Sequence, residues 1–323
     1  MNNLLEIKNL IVSFRTYLGQ VKALRNISFS VKYGETIGIV GESGCGKSVM
    51  AQAIMRLIPN PPGQIDGGNI FFEGNDLLLK SRKQMEGIRG KEIGMIFQDP
   101  MTSLNPTMQI GKQIMEGLIK HHRLKKEEAQ SQALKMLKLV GISDPEKRFN
   151  QYPHAFSGGM RQRVVIAISL ACRPKLLIAD EPTTALDVTI QAQILNLMKG
   201  IQKENKMSII LITHDLGIVA GVCDRLLVMY NGEIIEKGTI NQIYQSPYHP
   251  YTKGLLHSVP HLGMSKQKEL LPIHGTPPNA LVSSNGCAFC PRCKHAMHIC
   301  QTQIPPKKQI EEEHEVNCWL KTS

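Results

Sequence analysis

Gly41-Glu42-Ser43-Gly44-Cys45-Gly46-Lys47-Ser48 has the spacing G-x-x-x-x-G-K-[ST], and its reading decides the fold. Before it stands Thr36-Ile37-Gly38-Ile39-Val40, a short β-branched apolar run of the kind buried in a parallel sheet. After it, residues 49–57 follow a helical pattern. Strand, glycine-rich turn and helix together make a phosphate-binding loop, because glycines let backbone N–H groups turn inward at a helix N-terminus. In that reading Gly41, Ser43, Gly44, Cys45, Gly46 and Val49 line the loop, Lys47 reaches the β- and γ-phosphates, and Ser48 holds Mg²⁺.

The surrounding pattern supports an α/β architecture. Leu5–Leu10 and Ile27–Val31 alternate like strands, and Pro59-Asn60-Pro61-Pro62-Gly63 breaks the chain. Residues 111–140 read as two helices, the second with Ala133, Leu134, Leu137 and Val140 on one face. Helices are also expected over 161–172 and 191–204, and buried strands over 176–179 and 209–212. Strand, helix and strand at this spacing imply right-handed crossovers and a parallel sheet. The strand Leu176-Leu177-Ile178-Ala179 runs into Asp180-Glu181. Behind a phosphate loop, such a pair assigns Mg²⁺ binding to Asp180 and polarisation of the attacking water to Glu181.

Composition narrows the classes. The chain has 323 residues, 42% hydrophobic and 20% charged, which is ordinary for a folded protein and not for a disordered one. No run of 18 apolar residues suggests a membrane span, and the start lacks the pattern of an export signal, so a cytoplasmic location is expected. The net charge is +11, yet no block of six basic residues occurs and only 5% of residues are aromatic. A nucleic-acid groove with stacking rings is therefore not expected, and no nucleic-acid partner is assigned.

Phe156-Ser157-Gly158-Gly159-Met160-Arg161-Gln162-Arg163, opening a helix ahead of the acidic strand end, resembles the signature sequence of ABC-type ATPases. The remaining motifs follow in that family's order. The resemblance implies that Gln98 reaches Mg²⁺ and the attacking water and joins the core to a helical subdomain at about residues 99–170. It implies that Ala185-Leu186-Asp187 touches the opposing subunit, although Asp187 also reads as a helix N-cap. His214 looks like the switch histidine that contacts the γ-phosphate. Ser157, Gly158 and Gly159 would cap the nucleotide of a partner subunit. Tyr17 and Phe14 are the candidates for stacking on adenine, and Tyr17, expected in a loop after the strand bearing Phe14, is favoured.

Phe97–Pro106, Tyr248–Leu256 and the tail cysteines resemble stretches of the oligopeptide, dipeptide and nickel branch of bacterial ABC importers. Ser48-Val49 and Met160 look like the first ATPase of a pair. After about residue 260, prolines interrupt every pattern, so the tail needs a staple. Cys287, Cys290, Cys293, Cys300 and Cys318 cluster there, and clustered thiols without an export signal point to zinc or an iron–sulfur cluster. The spacing would be ferredoxin-like with Cys287, Cys290, Cys293 and Cys300. The resemblance instead implies a [4Fe–4S] cluster on Cys287, Cys293, Cys300 and Cys318, leaving Cys290 spare.

The expected architecture is thus an α/β P-loop NTPase core, an ABC-type nucleotide-binding domain over residues 1–259 with its helical subdomain, and a cysteine-rich iron–sulfur domain over 260–323. The resemblance implies ATP hydrolysis that drives import of di- or oligopeptides. The partners it implies are a second, similar ATPase, two transmembrane permease subunits and, indirectly, an extracellular or periplasmic peptide-binding protein. The place of action would be the cytoplasmic face of the membrane. A nickel or other small-solute importer is the alternative within the branch. A soluble ABC ATPase acting on nucleic acid or ribosomes is disfavoured by the single phosphate loop and the lack of long insertions.

Overall fold

In the computed structural model, which describes residues 3–183, 187–258, 273–276 and 285–321, the strands are β1 (Asn3–Thr16), β2 (Gly19–Lys32), β3 (Thr36–Val40), β4 (Gly63–Phe72), β5 (Asn75–Asp76), β6 (Ile93–Ile96), β7 (Leu176–Asp180), β8 (Ser208–Ile212), β9 (Arg225–Tyr230), β10 (Glu233–Thr239), β11 (Lys307–Glu311) and β12 (His314–Asn317). The helices are α1 (Lys47–Ile54), α2 (Arg82–Ile88), α3 (Pro100–Ser103), α4 (Ile110–His122), α5 (Lys126–Leu139), α6 (Pro145–Phe149), α7 (Gly158–Ala171), α8 (Val188–Asn205), α9 (Leu216–Val222), α10 (Ile240–Gln245), α11 (Pro250–His257) and α12 (His298–Thr302). The chain divides into two compact units, one of residues 1–4, 32–35 and 79–211, the other of residues 5–31, 36–78 and 212–323. The boundary expected at residue 260 lies outside the described residues.

The first unit holds the parallel pair β6–β7, with Ile93 opposite Leu176 and Ile96 opposite Ala179. α7 packs on β6 and against α4 and α5. Val164, Val165, Ile166, Ala167 and Leu170 of α7 are all buried, the pattern of a helix enclosed on most sides. The Ser169 hydroxyl, which is also buried, donates to the Met95 carbonyl at 2.8 Å and ties α7 to β6. The amphipathic reading of α5 is largely met: Ala129, Ala133 and Leu137 are buried at a spacing of four, one turn apart, while Leu134 is half-buried.

The second unit contains a four-stranded sheet in the order β2-β1-β4-β5 and the strand run β11-β12-β10-β9-β3. β4 pairs antiparallel with β1, placing Ile7 opposite Ile70 and Phe14 opposite Gly63. β3 and β9 are parallel, with Ile37 opposite Arg225 and Val40 opposite Val228. β9 turns into β10 through Asn231-Gly232, both at positive φ (48° and 80°), the two-residue hairpin that this dipeptide favours.

The tail is held by this sheet. β12 pairs antiparallel with β10, with Glu236 opposite Val316. His314 Nε2 donates to the Glu236 carboxylate at 2.9 Å, both groups being fully buried. The N–H groups of Tyr248 and His249 donate to the same carboxylate at 2.7 and 2.9 Å. Burial alone would raise the Glu236 carboxyl; these donors outweigh it and leave it below the ordinary value. Phe289, only 4% exposed, packs edge-on against Tyr230 and Tyr251, with ring centroids at 5.3 and 5.4 Å.

These contacts correct the expected iron–sulfur domain. Among the described residues no group of three or more His, Cys, Asp or Glu is placed to hold a metal ion, and no disulfide joins any of the eight cysteines. Cys287, Cys293, Cys300 and Cys318 are therefore not supported as ligands of a [4Fe–4S] cluster. Burial pushes the Cys287 thiol up to about 12, and the neighbouring Cys300, Cys318 and Cys293 push in the same direction. Strand pairing, a buried acid–histidine pair and an aromatic cluster supply the staple instead.

Two outcomes follow. Phe289→Ala should cost about 3 kcal/mol of stability, read from urea unfolding, because it empties a packed site; a change under about 1 kcal/mol would mean the tail is not packed there. The second concerns His249, whose Nδ1 accepts from Tyr251 N–H at 3.1 Å as N-cap of α11. Burial pushes its pKa down to about 4. Its neutral form is thus favoured by folding, and this stabilisation, complete above the unfolded value of about 6.5, is lost as pH falls towards the folded one. Unfolding midpoints from pH 7 to 4 should fall less steeply in His249→Asn, which keeps a cap acceptor but cannot titrate.

Candidate functional site

The phosphate loop leaves the fully buried β3 at Gly41 and enters α1 through Gly46, which sits at the N-cap in the left-handed region (φ 103°). A side chain is excluded at both ends of the loop. A Cβ at Gly41 would collide with the Met229 carbonyl oxygen, and one at Gly46 would lie 2.6 Å from the Ala23 carbonyl oxygen. Because these obstacles are backbone, neither can yield, and glycine is the residue that fits.

Lys47 is 5% exposed, and its ammonium donates to the carbonyls of Gly41 at 2.7 Å and Glu42 at 3.0 Å. A cation is thereby fixed over the loop, beside the N-terminus of an eight-residue helix with no acidic residue in its first turn. The arrangement suits a multiply charged anion. Ser43 and Gly44 are exposed, Ser48 and Val49 half-buried. The Cys45 thiol is buried and raised by that burial, so it packs beneath the loop as a neutral group.

Two other expected residues belong to the same unit. Thr213 N–H donates to the Ile39 carbonyl at 3.2 Å, so the chain after β8 runs beside the strand that feeds the loop, and His214 follows exposed. Tyr17 is fully exposed in the turn between β1 and β2, as the sequence implied, whereas Phe14 is half-buried within β1.

The other expected residues lie in the first unit. Asp180 ends β7 and is buried, and Glu181 follows in the left-handed region (φ 49°), which is costly for a residue with a side chain. Gln98 Nε2 donates to the Glu181 carboxylate at 3.3 Å, bringing together two residues 83 positions apart. Gln162 of α7 donates to the Pro182 carbonyl at 2.6 Å and pins the turn from behind. Ser157 caps α7 by accepting from Met160 N–H, with Gly158 and Gly159 in the first turn. A cavity of about 430 Å³ opens here, lined by Ser157, Gly159, Met160, Arg163 and Asp187 among others. Asp187 stands at the N-cap of α8 without a capping hydrogen bond from its side chain. Ala185 and Leu186 lie outside the described residues.

One contact to the loop carries no signal in the sequence. Arg292, between two tail cysteines, binds the Glu42 carboxylate with both terminal nitrogens, at 2.7 and 2.9 Å.

Comparison with known proteins agrees with this geometry. Residues 24–184 match the ABC transporter family, and residues 235–300 match the C-terminal region of oligopeptide/dipeptide transporters. The chain is 59% identical over 320 residues to the oligopeptide transport ATP-binding protein OppD of Bacillus subtilis, covering 99% of this chain and 89% of that protein. It is 54% identical to the dipeptide transport ATP-binding protein DppD of the same organism, over 99% of this chain and 95% of that one. Among solved structures, a dimeric ATP-binding cassette in a post-hydrolysis state bound to ADP and Pi aligns with a TM-score of 0.67 at 28% identity, over 73% of this chain and 98% of the other. With two separate regions matched and such identity over nearly its full length, the chain belongs to the ABC transporter family, among its ATP-binding proteins.

Proposed function

We propose that this chain hydrolyses ATP to power uptake of di- or oligopeptides, as one of two ATPase subunits attached to two membrane subunits. The observation that carries the reading is the phosphate loop with Lys47 clamped over it, in a chain 59% identical to an oligopeptide transport ATP-binding protein. Among the described residues no helix is long and apolar enough to cross a membrane, so passage of the solute falls to other subunits. A position on the cytoplasmic face of the membrane suits the net charge of +11, which an anionic leaflet attracts.

The residues divide the work. Lys47 and backbone N–H groups of the loop would bind the β- and γ-phosphates, with Gly41 and Gly46 leaving room for the backbone and Tyr17 stacking on adenine. Ser48, Gln98 and Asp180 are oxygen donors suited to Mg²⁺, which when bound neutralises phosphate charge. Glu181, oriented by Gln98, would accept a proton from the water that attacks the γ-phosphorus as the bond to the β-phosphate oxygen breaks, giving ADP and phosphate. His214 would contact the γ-phosphate. Ser157, Gly159 and Asp187 border a cavity on a face that, with Gly158, would meet the second subunit's nucleotide.

Glu181→Gln should keep ATP affinity within about twofold while lowering phosphate release by a factor on the order of 1000, the weight of a general base. It should also accumulate a closed dimer on gel filtration with ATP; unimpaired turnover would remove Glu181 from the base role. For the transport reading, the tagged chain can be recovered from native membranes in mild detergent and its partners identified by mass spectrometry. Two polytopic subunits and a similar ATPase are the expected company, and recovery with soluble partners alone would overturn it.

A further inference from the structure

The phosphate loop is gripped by the tail at one residue. Glu42 is engaged through its N–H, its carbonyl and its carboxylate. Its N–H donates to the Tyr251 hydroxyl at 2.9 Å, its carbonyl accepts from Lys47 Nζ at 3.0 Å, and its carboxylate takes both terminal nitrogens of Arg292. The residue that holds the phosphate-binding ammonium is itself held by the tail.

The guanidinium is built into its site. Its side chain is 5% exposed, against 26% for Glu42. Nη1 and Nη2 bind Glu42, Nη1 also reaches the Tyr230 hydroxyl at 3.3 Å, Nη2 reaches the Ile273 carbonyl at 3.3 Å, and Nε donates to the His274 carbonyl at 3.0 Å. These contacts use all five N–H donors of an arginine. The rings of Tyr230 and Phe289 lie 5.9 and 6.0 Å from its central carbon. A lysine could not reproduce the fork.

Glu42 also poses an electrostatic problem. A carboxylate within a loop that binds phosphates repels the ligand unless its charge is neutralised. The fork of Arg292 does this and fixes the direction of the Glu42 backbone.

We propose that Arg292 is a positioning residue of the nucleotide site, cancelling the charge of Glu42 and orienting the carbonyl that holds Lys47, so that the tail sets ATP affinity. This inference rests on the ATPase reading, and the test separates the two. Binding of a fluorescent ATP analogue with Mg²⁺ is measured by titration on the full chain, with folding monitored by circular dichroism. Arg292→Ala should weaken binding about tenfold, the size expected for a coupled charged contact. Arg292→Lys should fall between the two. Adding Glu42→Gln to Arg292→Ala should recover at least about threefold, because the uncancelled charge is gone.

A purely structural role would not give that rescue. Binding by folded Arg292→Ala within twofold of the parent overturns the proposal, as does a defect that Glu42→Gln fails to relieve. If Arg292→Ala does not fold, Arg292→Lys decides: unchanged affinity in that folded variant overturns the proposal, and a weakening supports it. Failure of the parent chain itself to bind the analogue would overturn the ATPase reading and this inference together.

Discussion

Backbone meets backbone around the phosphate loop, and the second unit is arranged to allow it. Gly41 lies against the Met229 carbonyl of β9, while Gly46 and Gly232 both lie against the Ala23 carbonyl of β2. Hydrogen bonds run through the same place: Gly232 N–H donates to the Cys45 carbonyl at 2.9 Å, and Arg25 N–H to the Gly232 carbonyl at 2.8 Å. Loop, hairpin turn and β2 are thus locked backbone to backbone. The Asn231-Gly232 turn, remote from the motif in sequence, belongs to the frame of the anion site.

The first unit uses a different device. The N-terminus of α7 faces a cavity, and farther along the helix side chains hold two strand ends: Ser169 reaches β6 and Gln162 reaches the turn after β7. That turn carries Glu181 in a backbone conformation few side-chain-bearing residues adopt. Such a conformation persists only where the surroundings over-determine it, and the bonds from Gln98 and Gln162 are part of that support.

How legible each part was depends on how local its physics is. The phosphate loop could be read directly because adjacent residues make it, and the helices because apolar residues recur every turn within one segment. Residues 110–139 form two helices, as expected, and the acidic pair ends its strand. The tail misled because thiol spacing is visible in a sequence and long-range pairing is not. Glu236 and His314 are 78 residues apart, and nothing near either predicts the other. Arg292 reads as one more surface cation until Glu42, 250 residues earlier, is brought to it. The Asn231-Gly232 hairpin was legible by its turn chemistry but sat behind stronger signals.

The place of β12 has a consequence for how the protein is made. Without it, β10 would present the open rim of the strand run that leads through β9 to β3, with Ile234 and Ile235 beside unpaired peptide groups. Such a rim recruits foreign strands. Synthesis proceeds from the N-terminus, so β3, β9 and β10 all emerge before the segment that shields them. Until about residue 317 has been added, the nascent chain carries this sticky border. β11 then closes the row with Lys307 and Lys308 on its outermost strand, charges of the kind that discourage stacking between molecules.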